Sequence, residues 1–544
     1  MLRRIVFALV LAAPAIAAAP HARSTAPAAP SPYDIAYHIA MPDPTAHFYE
    51  VQIDVGRIAT DTLELQLPVW SPGRYAEMDF AKNVLDFTAT AGNGKAVRWD
   101  RVNGSLWRLF PGGTTRVHVH YRVFANTLSG TFSVLDTAHA NWNGASLFMY
   151  VVGHKPDSVR LTIAPPAGWH VINGSSTTND QLHFGFPDYD HLIDTPTEVA
   201  PHFDLDSFTV DGRLYRVMVH HNGPEHGQRA RFVRDVQKIV RYENGVIAPP
   251  PLKMYTFLFN IGYDGSDGME HLYSTQIQVR PKWTDDTMSV MPAISDAAHE
   301  YFHTWNVKRM RPMALGPFDY THPQYQPSLW VAEGWTQYYG EIGLLRAGIV
   351  DTAAYYRVLG RVIRANEDSP GAREVSARTA SFEAPFWDGA ASPMATDRRD
   401  AWFSYYIKGE ALATLLDLKV RAQTHNAKSL DNVLRVLKHL SWDTPDASYY
   451  LHGRGYTEED VVHAASQVMG KDMHPWFASY VGGVKPLPWK ETLALAGMTL
   501  AAQSTPQGNR YTVSEMPNAT AEQLRVRKGW LTGTSGSTPA RMGQ

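Results

Sequence analysis

From Tyr33 onward the chain reads as short runs in which apolar and polar residues alternate. In RVHVHYRVFA, Val117, Val119, Tyr121 and Val123 share one face of a strand, and Arg116, His118, His120 and Arg122 share the other; HFYEVQIDV shows the same alternation. The turn-forming stretches SPGR, AGNGK and NGS separate such runs, so residues 33–205 are expected to form an all-β domain. His118 and His120 read as a solvated strand face, because no carboxylate or third histidine stands at a supporting spacing along the strand.

The period then changes. RARFVRDVQKIVRYENG has the spacing of an amphipathic helix, KMYTFLFNIG and HLYSTQIQVR read as strands, and helical spacing dominates from Ile294 to Met473. YIKGEALATLLDLKVRAQ carries Leu412, Leu415, Leu416 and Val420 on one stripe, and Thr457 with Asp460 forms a capping arrangement that opens a further helix. A few strands followed by a run of helices predicts an α+β domain over residues 206–481, within an α+β multidomain chain. Residues 482–544 are short for an independent domain and end in a tail-like GTSGSTPARMGQ. No internal repeat is present.

Composition narrows the setting. The 544 residues carry a net charge of −3 and no basic block, which argues against nucleic acid as a partner. Arg3 and Arg4 precede the apolar run IVFALVLAAPAIA, which closes on the small-residue pattern Ala15-Ile16-Ala17. Residues 1–19 are therefore expected to be a signal peptide and the alanine- and proline-rich residues 20–32 a flexible leader. The apolar run is short for a membrane span, so no stable membrane anchor is expected, the alternative being an uncleaved signal anchor. There is no cysteine, which excludes disulfides, thiolate ligands and a cysteine nucleophile. Any metal must be held by histidine and carboxylate. Export without disulfides suits a large bacterial protein that is periplasmic or secreted.

The chemistry concentrates in HEYFH. Four residues apart on a helix, His299 and His303 can aim their rings at one point, while Glu300 is rotated away and can stand beside the open position of a metal. This is the His-Glu-x-x-His geometry of zinc peptidases, in which the glutamate is the general base. The following HTWNVKRMRPMAL lacks the glycine and third histidine of the three-histidine arrangement. Instead SLWVAEGWTQYYGEIGLL brings Glu333 near the start of a second helical segment. Pro312, Pro317, Pro323 and Pro327 break the chain before it, so that it can leave one helix and return on another. Two histidines and a glutamate would leave the fourth position of a zinc ion open for catalysis.

HEYFHTWNVKRMRP together with LWVAEGWTQYY resembles the glycyl aminopeptidase family, gluzincin metallopeptidases distantly related to aminopeptidase N and built on a thermolysin-like catalytic domain. LPVWSPGRY, LFMYVVG and DYDHLIDTPTEV are similar to that family's amino-terminal β domain, so the resemblance runs from Tyr33 to about Gly483. It implies one Zn2+ per chain held by His299, His303 and Glu333, with Glu300 as the base. DGMEH resembles the family's Gly-Gly-x-Glu-His element, which implies that Glu270 binds the substrate's α-amine, with Gly268 and Met269 beside it in the substrate site. Asp267 departs from the first glycine of that element and brings a negative charge toward the amine site. YYIKG matches a Tyr-x-Lys-Gly element whose tyrosine stabilises the oxyanion; the spacing selects Tyr406, with Tyr405 its competitor. The implied activity is hydrolysis of the first peptide bond of peptides beginning with glycine or alanine. Many relatives end in a PDZ domain, so residues 482–544 are either a truncated or degenerate PDZ domain or a tail. An endopeptidase on the same zinc site and a non-catalytic peptide-binding protein are the alternatives.

Overall fold

The structure is a computed structural model and describes residues 32–175, 181–388, 401–445, 452–506 and 508–534. The expected signal peptide and all but the last residue of the leader lie outside the described residues. From Tyr33 the described chain forms one compact unit. No described helix is long and apolar enough to cross a membrane.

The amino-terminal part is all β, as the alternation predicts. Its largest sheet has six strands, in the order His183–Phe186, Val159–Ala164, Asp34–Ala40, Phe48–Gly56, Arg116–Phe124 and Val84–Ala91. Two four-stranded sheets complete it, one around Leu63–Gln66 and Leu106–Phe110, the other around Thr197–Ala200 and Ala140–Trp142. Val117, Val119, Tyr121 and Val123 are buried and their alternates are not. A carboxylate does stand beside each outward histidine, supplied by the neighbouring strand: His118 lies 2.6 Å from Asp54 and His120 2.5 Å from Glu50. Spacing along one strand could not reveal these cross-strand pairs.

A five-stranded mixed sheet follows, ordered Asp204–Val210, Arg213–His221, Met254–Ile261, Ser274–Val279 and Asp267–Glu270. Its first strand takes in residues on both sides of the boundary expected at 205/206. Helix Arg229–Glu243 crosses between the parallel strands Arg213–His221 and Met254–Ile261, and Asp267–Glu270 runs antiparallel along the far edge. The helical part is built around Tyr405–Gln423. This helix is buried from Lys408 to Leu418 without interruption, so the stripe read at Leu412, Leu415, Leu416 and Val420 is only part of its apolar contact. Thr457 and Asp460 form the expected capping box of helix Glu458–Met469. Beyond residue 482 lie helix Trp489–Ala494, the hairpin Met498–Thr505 with Gly508–Glu515, and helix Ala521–Thr532. That last helix buries Trp530, whose Nε1 lies 3.1 Å from the hydroxyl of Tyr338. One apolar core runs from Tyr33 to Trp530 and so joins the β part to the helices.

Candidate active site

Helix Met291–Phe302 carries Pro292 in its first turn and lays Ala293, Ile294, Ala297, Ala298 and Tyr301 on the five-stranded sheet. That spacing is one helical face, so His299 and the helix-ending His303 are turned toward the other. His303 Nδ1 donates to the carbonyl of Asn306 at 2.6 Å, which frees its Nε2 to face His299 Nε2 at 3.0 Å.

Glu333 sits at the break between helices Leu329–Ala332 and Gly334–Arg346. Its Oε2 lies 3.5 Å from His299 Nε2 and 3.3 Å from His303 Nε2. Two devices place it there. Asn306 Nδ2 donates to the carbonyl of Val331 at 2.8 Å, which fixes the end of the short helix. Gly334 and Gly409 let two helices touch backbone to backbone: a Cβ at Gly409 would lie 2.1 Å from the carbonyl oxygen of Trp330. The other carboxylate oxygen of Glu333 accepts a short hydrogen bond from the hydroxyl of Tyr75, in the SPGRY turn of the β part.

These separations fit a metal. A tetrahedron whose corners lie ~2.0–2.1 Å from its centre has edges of roughly 3.3 Å, which is the spacing zinc imposes on nitrogen and oxygen ligands. The three donor atoms stand 3.0, 3.3 and 3.5 Å apart, on a histidine pair and a carboxylate that could hold such an ion.

The edge strand Asp267–Glu270 passes beside them. Gly268 lies so close that a Cβ there would be 2.2 Å from Glu300 Oε1. Met269 is fully buried against Gly73 and Gly130. Glu270 is buried too, and groups with Glu300 and His303 as a set of mutually close donor atoms. Asp267 is neutralised: Arg74 donates to it at 2.5 Å and the backbone amide of Gly130 at 2.9 Å. Its departure from glycine therefore adds no unpaired charge beside Glu270.

Tyr406 is the second residue of its helix, whose first turn is capped by Ser404 at 3.2 Å. Its ring lies 6.1 Å from that of His299, nearly parallel, with Tyr405 stacked behind it at 4.8 Å. Burial, with Glu333 and Tyr405 adding to it, pushes the Tyr406 phenol well up, so it stays protonated and able to donate. Burial, reinforced by Glu270 and Glu333 and opposed by His303, pushes Glu300 well above the usual carboxylate range. Burial acts on Glu333 in the same sense, but His303 and His299 outweigh it and hold Glu333 low.

All eight predicted residues thus meet in one place. Sequence reasoning did not assign roles to Tyr75, Arg74 or Asn306, although all three lie within segments that carried the family resemblance. Among the described residues, Glu270 Oε1, Glu300 Oε2 and His299 Nδ1 are buried without a hydrogen-bond partner. Three buried carboxylates share one small space.

Residues 36–201 match the Peptidase M61 N-terminal domain and residues 293–412 match M61 glycyl aminopeptidase, together more than half of the chain. Among solved structures, the chain is similar to an aminopeptidase N family protein from Idiomarina loihiensis, at 26% identity and a TM-score of 0.75, over 86% of this chain and 79% of that one. It is also similar to an M1 zinc metallopeptidase from Deinococcus radiodurans, at 15% identity and a TM-score of 0.46, over 84% of this chain and 96% of that one. A search of curated proteins matched none of them.

Proposed function

The chain belongs to the M61 glycyl aminopeptidase family and is a zinc metalloaminopeptidase, and on that premise we propose that it removes small first residues, glycine or alanine, from peptides. His299, His303 and Glu333 would hold the zinc ion, which when bound supplies a Lewis acid that polarises the scissile carbonyl and acidifies water. Glu300 takes the proton of the attacking water and passes it to the leaving amine. The Tyr406 phenol donates to the developing oxyanion. Glu270 accepts the α-ammonium of the substrate, so that cleavage falls one residue in.

The observation that carries this reading is the charge inventory. Glu270, Glu300 and Glu333 are buried together with two histidines, and two of the carboxylates keep an oxygen without a hydrogen-bond partner among the described residues. Buried carboxylates demand compensating charge. A divalent ion and a substrate ammonium are positive charges that such a site could take in. Beside Glu270 lies a pocket walled by Trp70, Gly73, Tyr75, Val307, Leu315 and Phe318, with Lys308 and Arg311 also lining it, and its bulky walls support a preference for a small first residue.

The test compares glycine 4-nitroanilide with its N-acetylated form and with a blocked internal peptide. The free amine should be cleaved and both blocked substrates left intact, with leucine 4-nitroanilide far slower than glycine. Preference for a blocked substrate would overturn the role of Glu270 and favour an endopeptidase.

A further inference from the structure

Away from the zinc residues, a groove of about 800 Å3 opens between helix Thr352–Asp368 and the hairpin of residues 498–515. The two elements meet at Gly360, where a Cβ would lie 2.5 Å from the carbonyl oxygen of Tyr511. Arg357, Arg361 and Arg364, spaced four and three residues apart on the helix, line the groove, and Arg510 lines it from the hairpin. All four are exposed. Arg364 has Asp368 at 3.8 Å. Arg357, Arg361 and Arg510 make no hydrogen bond or ion pair among the described residues.

Two acids stand at the groove, Asp368 beside Arg364 and Glu515 beside Tyr356, and neither forms an ion pair with Arg357, Arg361 or Arg510 among the described residues. Asp368 accepts from Asn509 at 2.9 Å and Tyr511 at 3.0 Å, and Glu515 is held by Tyr356 at 3.0 Å and Arg527 at 3.2 Å. Glu341 and Glu410 are near enough to Arg361 to feel its charge, but neither forms an ion pair with it among the described residues. In a chain of net charge −3, three exposed arginines in one groove, none of them in an ion pair among the described residues, form an anion site. The guanidinium fork matches a carboxylate in two parallel hydrogen bonds.

Position says which anion. Glu410 lies one helical turn beyond Tyr406 and feels the charge of Arg361, so the groove lies on the side of the site reached through helix Tyr405–Gln423. An extended peptide advances about 3.3 Å per residue, so a chain cleaved beside Tyr406 can reach these arginines within a few residues. We propose that the groove is an exosite for the carboxylates of the peptide substrate downstream of the cleaved bond, either acidic side chains or the free carboxy terminus. This rests on the aminopeptidase reading above.

The probe is an acetylated peptide, acetyl-Ala-Glu-Glu-Glu, whose blocked amine cannot engage Glu270, compared with the amidated Ala-Gln-Gln-Gln analogue. Binding to the zinc-loaded protein is measured by calorimetry. The acidic peptide should bind about tenfold more tightly, and lose that margin in high salt and in the triple variant Arg357→Ala/Arg361→Ala/Arg510→Ala. The variant should hydrolyse glycine 4-nitroanilide, which is too short to reach the groove, at the wild-type rate. Equal binding of the two peptides, unchanged binding in the variant, or a site that takes anionic vesicles or an oligonucleotide in place of the peptide would overturn the proposal. Failure of the aminopeptidase reading would show separately, as a wild type inert toward the anilide.

Discussion

Tyr406 and Tyr75 both place a phenol at the site, and their loss should have different consequences. Tyr406→Phe removes only the hydroxyl proposed to donate to the oxyanion, so kcat should fall about 10²–10³-fold with zinc content unchanged. Tyr75→Phe instead strips Glu333 of the hydroxyl that orients its second oxygen. Loss of such a partner typically costs 10–100-fold in metal affinity, and zinc titration against a chelator should show it. The two also differ in how far the sequence exposes them. His299, Glu300 and His303 are legible because a helix fixes their relation locally, and Glu270, Glu333 and Tyr406 because a motif surrounds each. Tyr75 meets Glu333 across 258 residues of chain, a distance at which spacing carries no information. Asn306 lies in TWNVKRMRP, a stretch whose spacing points to no chemical role. Its amide fixes the helix that ends at Glu333, and neighbouring Lys308 donates to Asp194 of the β part at 2.8 Å.

Among the elements, the edge strand and the helix of His299 set the position of Glu300 by direct contact at Gly268. Gly268→Ala would drive a methyl group into Glu300 Oε1, which lies 2.2 Å from the position of that Cβ. A displacement on the order of 1 Å at a catalytic group can cost about 10²-fold, so activity should fall by about that factor while zinc is retained. Gly104→Ala, with open space around it, is the control and should leave activity unchanged. Most element types were legible from period alone, since the strand face of Val117 to Val123 and the Thr457 capping box are local patterns. The order of strands in the mixed sheet was not, because pairing is decided by residues distant in sequence. The stripe read on helix Tyr405–Gln423 covered only part of its burial for another reason: from Lys408 to Leu418 the helix is buried on every side, and no exposed polar face marks its period.

For the whole molecule, the β part and the catalytic sheet are fastened through a buried group. Glu198 accepts from His139 at 2.8 Å and Asn141 at 2.9 Å, both in the β part, and lies 3.2 Å from His220 of the catalytic sheet. Burial acts to raise Glu198, but the histidines prevail and bring its pKa down to about 2. A carboxyl lowered on folding contributes stability that is complete above its unfolded value, about 4.3, and disappears as pH falls toward 2. His139, raised on folding although burial opposes it, contributes below its unfolded value, about 6.5, and loses that contribution as pH rises through its folded pKa. Glu198→Gln should therefore lower unfolding stability near pH 6 by about 3–5 kcal/mol. The gap from wild type should narrow on acidification from about pH 4.3 toward 2, as denaturant titrations at each pH would show.

The account rests on Glu300 acting as a base beside a zinc ion it does not hold. Zinc content and glycine 4-nitroanilide hydrolysis, measured together on wild type and Glu300→Gln, test this most directly. One zinc ion per chain in both proteins, with hydrolysis abolished in the variant, is the predicted result. Wild-type hydrolysis by Glu300→Gln, or loss of its zinc, would contradict it.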